Sequence, residues 1–285
     1  MPELPEVETI KNDLDSLLVN KKIKAVKFLD DKKASKDQKL FLAQTVGVKI
    51  KAVRRRAKMI IIDLSNKDHL IVHLKMTGQL IFVTKNTIAG GGHPIKHDLT
   101  NLPNKSTRII FDFSNGSKLF FNDTRKFGWI KLVNSEELKA IEDKYGPEPL
   151  DKNFRPHDFY KLIYQKNIPI KPLLLDQKII AGIGNIYASE ACFCAGINPL
   201  RKASDLTQAE IKKLYNCIIR ILTLAIKKRG TSSETYVDAF GRQGSMNNFL
   251  KVYQRAGEKC LNCGGVIKKI NQRQRSTFYC EKCQK

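Results

Sequence analysis

Four cysteines near the end of the chain constrain its folding more than any other feature. They stand as Cys260-x2-Cys263, then sixteen residues, then Cys280-x2-Cys283. Each C-x2-C pair forms a tight knuckle that turns two thiolates toward one ion, and two knuckles complete a tetrahedral zinc site. With all four positions filled by protein, no place is left for water, so one Zn2+ with a purely structural role is expected. Between the knuckles, Arg273 and Arg275 stand beside Thr277, Phe278 and Tyr279, and from Lys251 to Lys285 nine Lys or Arg face two Glu. A hairpin with a basic tip and apolar flanks suits insertion into a nucleic-acid groove. The other cysteines, Cys192, Cys194 and Cys217, fall in apolar, helix-like stretches and are read as buried thiols. A secreted disulfide framework is not expected.

The charge points the same way as the tail. Against 28 Asp and Glu the chain carries 51 Lys and Arg, a net +23, and such a field attracts polyanions through release of their counterions. An anionic membrane surface is the rival partner, but no apolar run approaches the roughly 20 residues of a spanning helix. The N-terminus, MPELPEVETI, is acidic and has no signal-peptide core. A soluble, cytoplasmic protein with no membrane partner is therefore expected.

Pro2 to Leu18 reads as a short helix with Glu3, Glu6 and Glu8 at its positive end. From Ile23 to Val133 the pattern changes to short β-branched and aromatic runs, MIIIDL, HLIVHL, RIIFDF and KLFFND, broken by turn signals such as Asn115-Gly116. A β-sandwich or barrel-like domain is the expected result. Lys85 to Lys105, with three consecutive glycines and two prolines, reads as a long loop. Glu136 to Phe154 reads as a linker. Helical patterns follow over Asp158–Gln165, Ile170–Gln177, Asn185–Ala195 and Thr207–Arg229, the last with apolar residues at Ile211, Leu214, Ile218 and Leu222. The boundaries drawn are 1–134 for the β domain with its leading helix, 135–153 for the linker, 154–250 for the helical domain and 251–285 for the zinc finger.

Two local features carry chemistry. Proline in second position favours removal of Met1, which leaves a secondary amine on a rigid ring. With a pKa near 7.7–8.0 for an α-amino group, a useful fraction is unprotonated at neutral pH. Such an amine attacks carbon of aldehyde character to give an iminium, and Glu3 and Glu6 lie near enough in sequence to move protons. In IIAGIGNIYASEA the glycines allow a sharp turn, Asn185 is placed to cap the next helix, and the free N–H groups of that helix form a phosphate site. Lys171 supplies a cation upstream.

With these pieces assembled, the sequence resembles bacterial formamidopyrimidine-DNA glycosylase over essentially its whole length. The motifs are PELPEVET at the start, RRRAK at Arg54–Lys58, HLKMTG at His73–Gly78, NDTRKFG at Asn122–Gly128, GPEPL at Gly146–Leu150, GIGNIYASE at Gly182–Glu190 and the tail ending TFYCEKCQK. The resemblance implies an α+β multidomain fold: an N-terminal β-sandwich, a helical domain with a helix–two-turn–helix element, and a four-cysteine zinc-finger β-hairpin. It implies a monomeric bifunctional glycosylase and abasic-site lyase acting on double-stranded DNA with oxidised purines or abasic sites. Pro2 would be the nucleophile, Glu3 the general acid/base, Glu6 a support for sugar protonation and Lys58 a phosphate and catalytic contact. Met76, Arg125 and Phe127 would fill the hole left by the extruded nucleotide, Arg125 facing the orphaned cytosine. On strand pattern alone, Met76 and Phe127 read as core residues. Asn185 and Arg275 would contact phosphate, Lys171 would lie near the lesion, and Tyr236 would contact DNA from a mobile loop spanning Thr231 to Gly241.

The chain departs from the family at Ser106 and Arg108, where relatives often carry a phosphate-contacting His, and at Lys126, often Arg. Two alternatives frame the reading. One is an endonuclease VIII-type glycosylase for oxidised pyrimidines, which usually begins PEGPE where this chain reads PELPE. The other is a zinc-ribbon DNA-binding protein without catalysis, against which Pro2, Glu3 and Lys58 all stand.

Overall fold

The computed structural model describes residues 1–29, 38–86, 88–92, 101–232 and 243–285. They form two compact units, Met1–Asp143 with Lys228–Ser245, and Lys144–Lys227 with Met246–Lys285.

The first unit opens with helix α1, Leu4–Leu18, which has proline in its first turn and Glu3 and Glu6 in a reciprocal capping box. Its apolar stripe of Leu4, Val7, Ile10, Leu14 and Leu18 is fully buried. A second stripe, Glu6, Thr9 and Asp13, is buried as well, and Arg229 forms an ion pair with Asp13 from the returning Lys228–Ser245 segment. Strand β1 (Ile23–Phe28), helix α2 (Gln38–Thr45) and strands β2 (Ile50–Arg56), β3 (Met59–Leu64), β4 (His69–His73), β5 (Gly78–Val83), β6 (Ile88–Gly92), β7 (Thr107–Phe113), β8 (Lys118–Asp123) and β9 (Trp129–Val133) follow, closed by helix α3 (Ser135–Glu142).

The strands make two antiparallel sheets, in the orders β1-β7-β8-β5-β6 and β2-β3-β4-β9. Alternate residues of both, among them Ile60, Ile62, Leu80, Phe82, Ile109, Phe111, Leu119 and Phe121, enter one apolar core with the α1 stripe. This period of two is the β-sandwich that the sequence pattern predicts. The Asn115-Gly116 turn joins β7 to β8, with Gly116 at φ +82°.

Several elements differ from expectation. The glycine run read as loop is edge strand β6, which pairs Gly90 with Ile81, Gly91 with Leu80 and Gly92 with Gln79. A Cβ on Gly92 would lie 2.4 Å from the Gly78 carbonyl oxygen, so the weak strand propensity of glycine is overridden by an approach that only glycine permits. Helix α2 interrupts the region read as strands and is held by buried Phe41 and Thr45. Within the stretch read as linker, α3 is capped by Asn134, whose side chain accepts from the Glu137 amide while Glu137 accepts from the Asn134 amide.

In the second unit, α4 (Pro156–Ile163), α5 (Ile170–Leu175), α6 (Asn185–Ala195) and α7 (Gln208–Lys227) precede the hairpin β10 (Lys268–Gln272) and β11 (Arg275–Tyr279). The sharp turn before α6 uses Gly182 at φ +82°. The N-cap is Gly184 rather than Asn185, whose side chain is engaged elsewhere. The buried face of α7 runs through Ile211, Leu214, Ile218, Leu222 and Ala225. Phe193 of α6 packs with Val252, Ile267 and Phe278 around the cysteine-bearing tail.

One cysteine reading is corrected. Cys192 is a buried thiol, pushed up to about 12 by burial, but Cys194 and Cys217 form a disulfide. Their helices pack so that the two Cα atoms stand 5.8 Å apart, a facing relationship that helical periodicity within either segment does not encode.

Candidate functional site

Chain ends usually fray, yet Pro2 and Glu3 are both buried. The α1 capping box fixes them. The Glu3 amide donates to Glu6 Oε2 at 2.9 Å, and the other Glu6 oxygen accepts from the Thr231 amide at 2.7 Å. Glu6 therefore ties the start of the chain to the segment at Gly230. A Cβ on Gly230 would stand 2.8 Å from the Glu6 carboxyl, and Gly230 is at φ +83°. Gly230→Ala is expected to cost about 1–2 kcal/mol through clash and left-handed strain, read as a Tm several degrees lower; an unchanged Tm would contradict this anchoring.

Lys58 sits in the tight turn between β2 and β3, where Ala57 takes φ +52°, and is buried to 8% exposure. The arginines beside it are structural. Arg54 pairs with Asp63 and Glu142, each at 2.8 Å, and Arg56 donates to the Glu142 carbonyl. Arg55 pairs with Glu8 at 2.7 Å and donates to the Ala57 carbonyl, bolting the Lys58 turn to the second turn of α1. Burial alone would raise the Glu8 carboxyl, but Arg55, with help from Lys11, holds it below the usual range. Within the first unit, Pro2, Glu3 and Glu6 thus share one end of α1, and the Lys58 turn is fastened to that helix.

His73 lies in β4, packed on the Trp129 ring at 5.7 Å, and its Nδ1 accepts from the Lys75 amide. Burial first, then the charges of Lys75 and Lys58, depress it to about 3. It is a neutral structural residue at any assay pH near neutrality.

Met76 and Phe127 are not core residues. They are 39% and 55% exposed on the β4–β5 and β8–β9 loops. Each follows a lysine in left-handed conformation, Lys75 at φ 51° and Lys126 at φ 59°, a backbone strain of order 1–2 kcal/mol per residue. The Arg125 guanidinium lies over the Phe127 ring at 5.0 Å. Two apolar tips and one cation are thereby presented to solvent at some cost in folding energy.

In the second unit, Lys171 is 1% exposed. Its Nζ donates to Asn185 Oδ1 at 2.6 Å, Thr277 Oγ1 at 2.8 Å and the Ser276 carbonyl at 3.3 Å, while Asn185 Nδ2 donates to the same carbonyl at 2.9 Å. Lys171 therefore supports, from beneath, a junction between α6 and the hairpin. An open cleft of about 780 Å³ lies over this junction, lined by Asn185, Tyr253, Gln254, Lys269, Arg275 and Ser276 among others. Sequence reasoning finds Asn185 and Arg275 but misses Tyr253, Gln254 and Lys269. An aromatic residue in a basic tail is the signal that marks Tyr253. Buried Glu190 fixes this wall by accepting the amides of Lys251, Val252 and Tyr253 at 2.9–3.1 Å. Burial raises its carboxyl against the effect of those bonds. The hairpin tip has Arg273 and Gln274 both at positive φ, the geometry of a tight two-residue turn made here without glycine. Tyr236 lies outside the described residues, as does most of its loop.

The thiol sulfurs of Cys260, Cys263, Cys280 and Cys283 all lie within 4.8 Å of one another, with Cys260–Cys283 at 3.8 Å and Cys263–Cys280 at 3.4 Å. Zn–S bonds of about 2.3 Å require tetrahedral edges of about 3.8 Å, so the donor set fits one zinc, held structurally between the knuckles.

Residues 1–130 match the formamidopyrimidine-DNA glycosylase N-terminal domain, residues 145–237 the formamidopyrimidine-DNA glycosylase H2TH domain, and residues 257–285 a zinc finger found in FPG and IleRS. Among similar proteins is a formamidopyrimidine-DNA glycosylase of Herpetosiphon aurantiacus, 40% identical over 286 residues and covering 100% of both chains. That of Pelotomaculum thermopropionicum is 41% identical over 288 residues, covering 100% of this chain and 99% of the other. Among solved structures, Lactococcus lactis Fpg in complex with DNA containing an abasic site superposes with TM-score 0.87 at 33% identity, covering 99% of each chain. A point mutant of that Lactococcus lactis protein, bound to DNA containing Fapy-dG, gives TM-score 0.87 at 32% identity over 100% of each chain.

Proposed function

This chain belongs to the formamidopyrimidine-DNA glycosylase family, and on that premise we propose that it excises oxidised purines from double-stranded DNA and then cleaves the strand at the abasic site. The reading is carried by one observation: Pro2 and Glu3, directly behind the exposed Met1, are buried at the head of α1 and held by its capping box, the condition for an amine freed at Pro2 to act as a positioned nucleophile. With Met1 attached the Pro2 nitrogen is an amide without nucleophilic character, so the reaction requires its removal.

In the proposed sequence the Pro2 nitrogen attacks C1′ of the extruded nucleotide, the C1′–N bond breaks, and the base leaves with a proton. Glu3 serves as the general acid/base. The amine loses its proton, O4′ gains one as the C1′–O4′ bond breaks, and the resulting iminium acidifies the C2′ proton, so that β-elimination expels the 3′-phosphate and δ-elimination the 5′-phosphate. Lys58 holds phosphate beside this centre. Met76, Arg125 and Phe127 occupy the vacated stack. In the second unit, Asn185, Arg275 and Tyr253 hold the backbone, with Lys171 beneath them. The bacterial relatives support a cytoplasmic location.

The test compares duplexes carrying 8-oxoguanine opposite cytosine with duplexes carrying thymine glycol, with and without borohydride. A higher kcat/KM on 8-oxoguanine and a trapped protein–DNA adduct are expected. Preference for thymine glycol would overturn the purine assignment, and turnover with no trapped adduct would overturn the covalent one.

A further inference from the structure

The loops that carry Met76 and Arg125–Phe127 are separated in sequence, yet both close on one side chain. Asp123 ends β8, is wholly buried and lies opposite Gly78, the first residue of β5. Its Oδ1 accepts from the Thr77 hydroxyl, next to Met76. Its Oδ2 accepts from the Gly128 amide at 2.6 Å, next to Phe127. Thr77 Oγ1 in turn accepts from the Arg125 amide at 3.1 Å. The backbone of Asp123 is held as well, donating to the Ser106 carbonyl at 2.8 Å and accepting from Arg108 Nε at 2.9 Å. Glycine borders both loops at the point of closest approach: a Cβ on Gly78 would lie 2.4 Å from the Leu74 carbonyl oxygen, and one on Gly128 would lie 3.1 Å from Asp123 Oδ2.

A buried carboxylate is costly unless its oxygens are engaged. Here the engaging donors come from the two loops that present exposed apolar tips, each with a lysine held left-handed. We propose that Asp123 is a positioning residue that sets the two void-filling loops against one another, one oxygen fixing the Met76 loop through Thr77 and the other fixing the Arg125–Phe127 loop through Gly128. The inference rests on Met76, Arg125 and Phe127 being the residues that fill the stack. Ser106 and Arg108 hold the backbone of this same clasp.

The test is a mutant cycle on the full chain. Thr77→Val removes the hydroxyl link to both loops at nearly constant volume. It is expected to lower single-turnover excision of 8-oxoguanine opposite cytosine about fivefold, the equivalent of one net hydrogen bond, and to narrow the preference for cytosine over adenine opposite the lesion, because Arg125 loses its anchor. Thr77→Ser restores both. In a Met76→Ala, Phe127→Ala background, the loss that Thr77→Val adds is much smaller, because the shared function is already gone. Asp123→Asn, which turns an NH2 on one of the two donors, gives the same pattern, with Tm followed to confirm folding. A wild-type rate in Thr77→Val, or losses that multiply independently of the Met76 and Phe127 changes, would overturn the clasp while leaving the wedge assignment standing. A wild-type rate in the Met76→Ala, Phe127→Ala protein would remove the wedge assignment, and the clasp with it.

Discussion

Replacing Cys260 with serine is expected to release the zinc and to lower affinity for duplex DNA on the order of 100-fold, through the loss of two charge-assisted phosphate contacts at about 1.5 kcal/mol each. A four-cysteine site in a small tail supplies folding free energy directly, about 10–16 kcal/mol of metal binding in comparable zinc peptides. The core around the tail is small, little more than Phe193, Val252, Ile267 and Phe278 with the cysteines themselves. Without the ion, the β10–β11 hairpin no longer holds Ser276 and Thr277 against Lys171 and Asn185. Arg275 and Lys269 then leave the cleft wall, and with them go the two contacts. The measurement is DNA binding at fixed ionic strength beside metal analysis, since phosphate contacts weaken steeply with salt. Undiminished affinity in a zinc-free Cys260→Ser protein would contradict the assignment.

Pro2→Gly is expected to lower excision of 8-oxoguanine by about 100-fold or more, with affinity for an abasic-site analogue little changed, because misplacing a reacting atom by about 1 Å costs on that order. Glycine still presents an amine, but a primary one on a freely rotating bond, and loss of the rigid ring sacrifices alignment. A primary amine also yields an imine that must be protonated before it can draw electrons, whereas a secondary amine yields a permanently charged iminium. The split matters: a fall in rate without a fall in binding marks Pro2 as a reacting group. Equal losses in both would mark it as a helix-capping residue whose removal loosens α1.

What the sequence made legible was local. The C-x2-C spacing, the alternation in MIIIDL and RIIFDF and the apolar face of α7 each encode their structure within a few residues, and the zinc site, the sandwich and the long helix follow. What it concealed depends on distant partners. Nothing in Gly90-Gly91-Gly92 announces a strand, because its pairing comes entirely from β5. The Cys194–Cys217 bridge depends on how α6 meets α7. Within RRRAK nothing local shows that Arg54 and Arg55 are held by Glu142, Asp63 and Glu8. Met76 and Phe127 look like strand residues, yet they stand exposed on loops whose hydrogen bonds converge on Asp123, far from Met76 in sequence. Lys171 reads as a cation for the phosphate site, but the hairpin, far downstream in the chain, buries it.

The most direct measurement is peptide mapping by mass spectrometry of the borohydride-trapped adduct on 8-oxoguanine DNA. Residual sugar attached to the nitrogen of Pro2, on chains that have lost Met1, is the expected result. An adduct on a lysine, or an active protein whose N-terminal peptide still carries Met1, would contradict it.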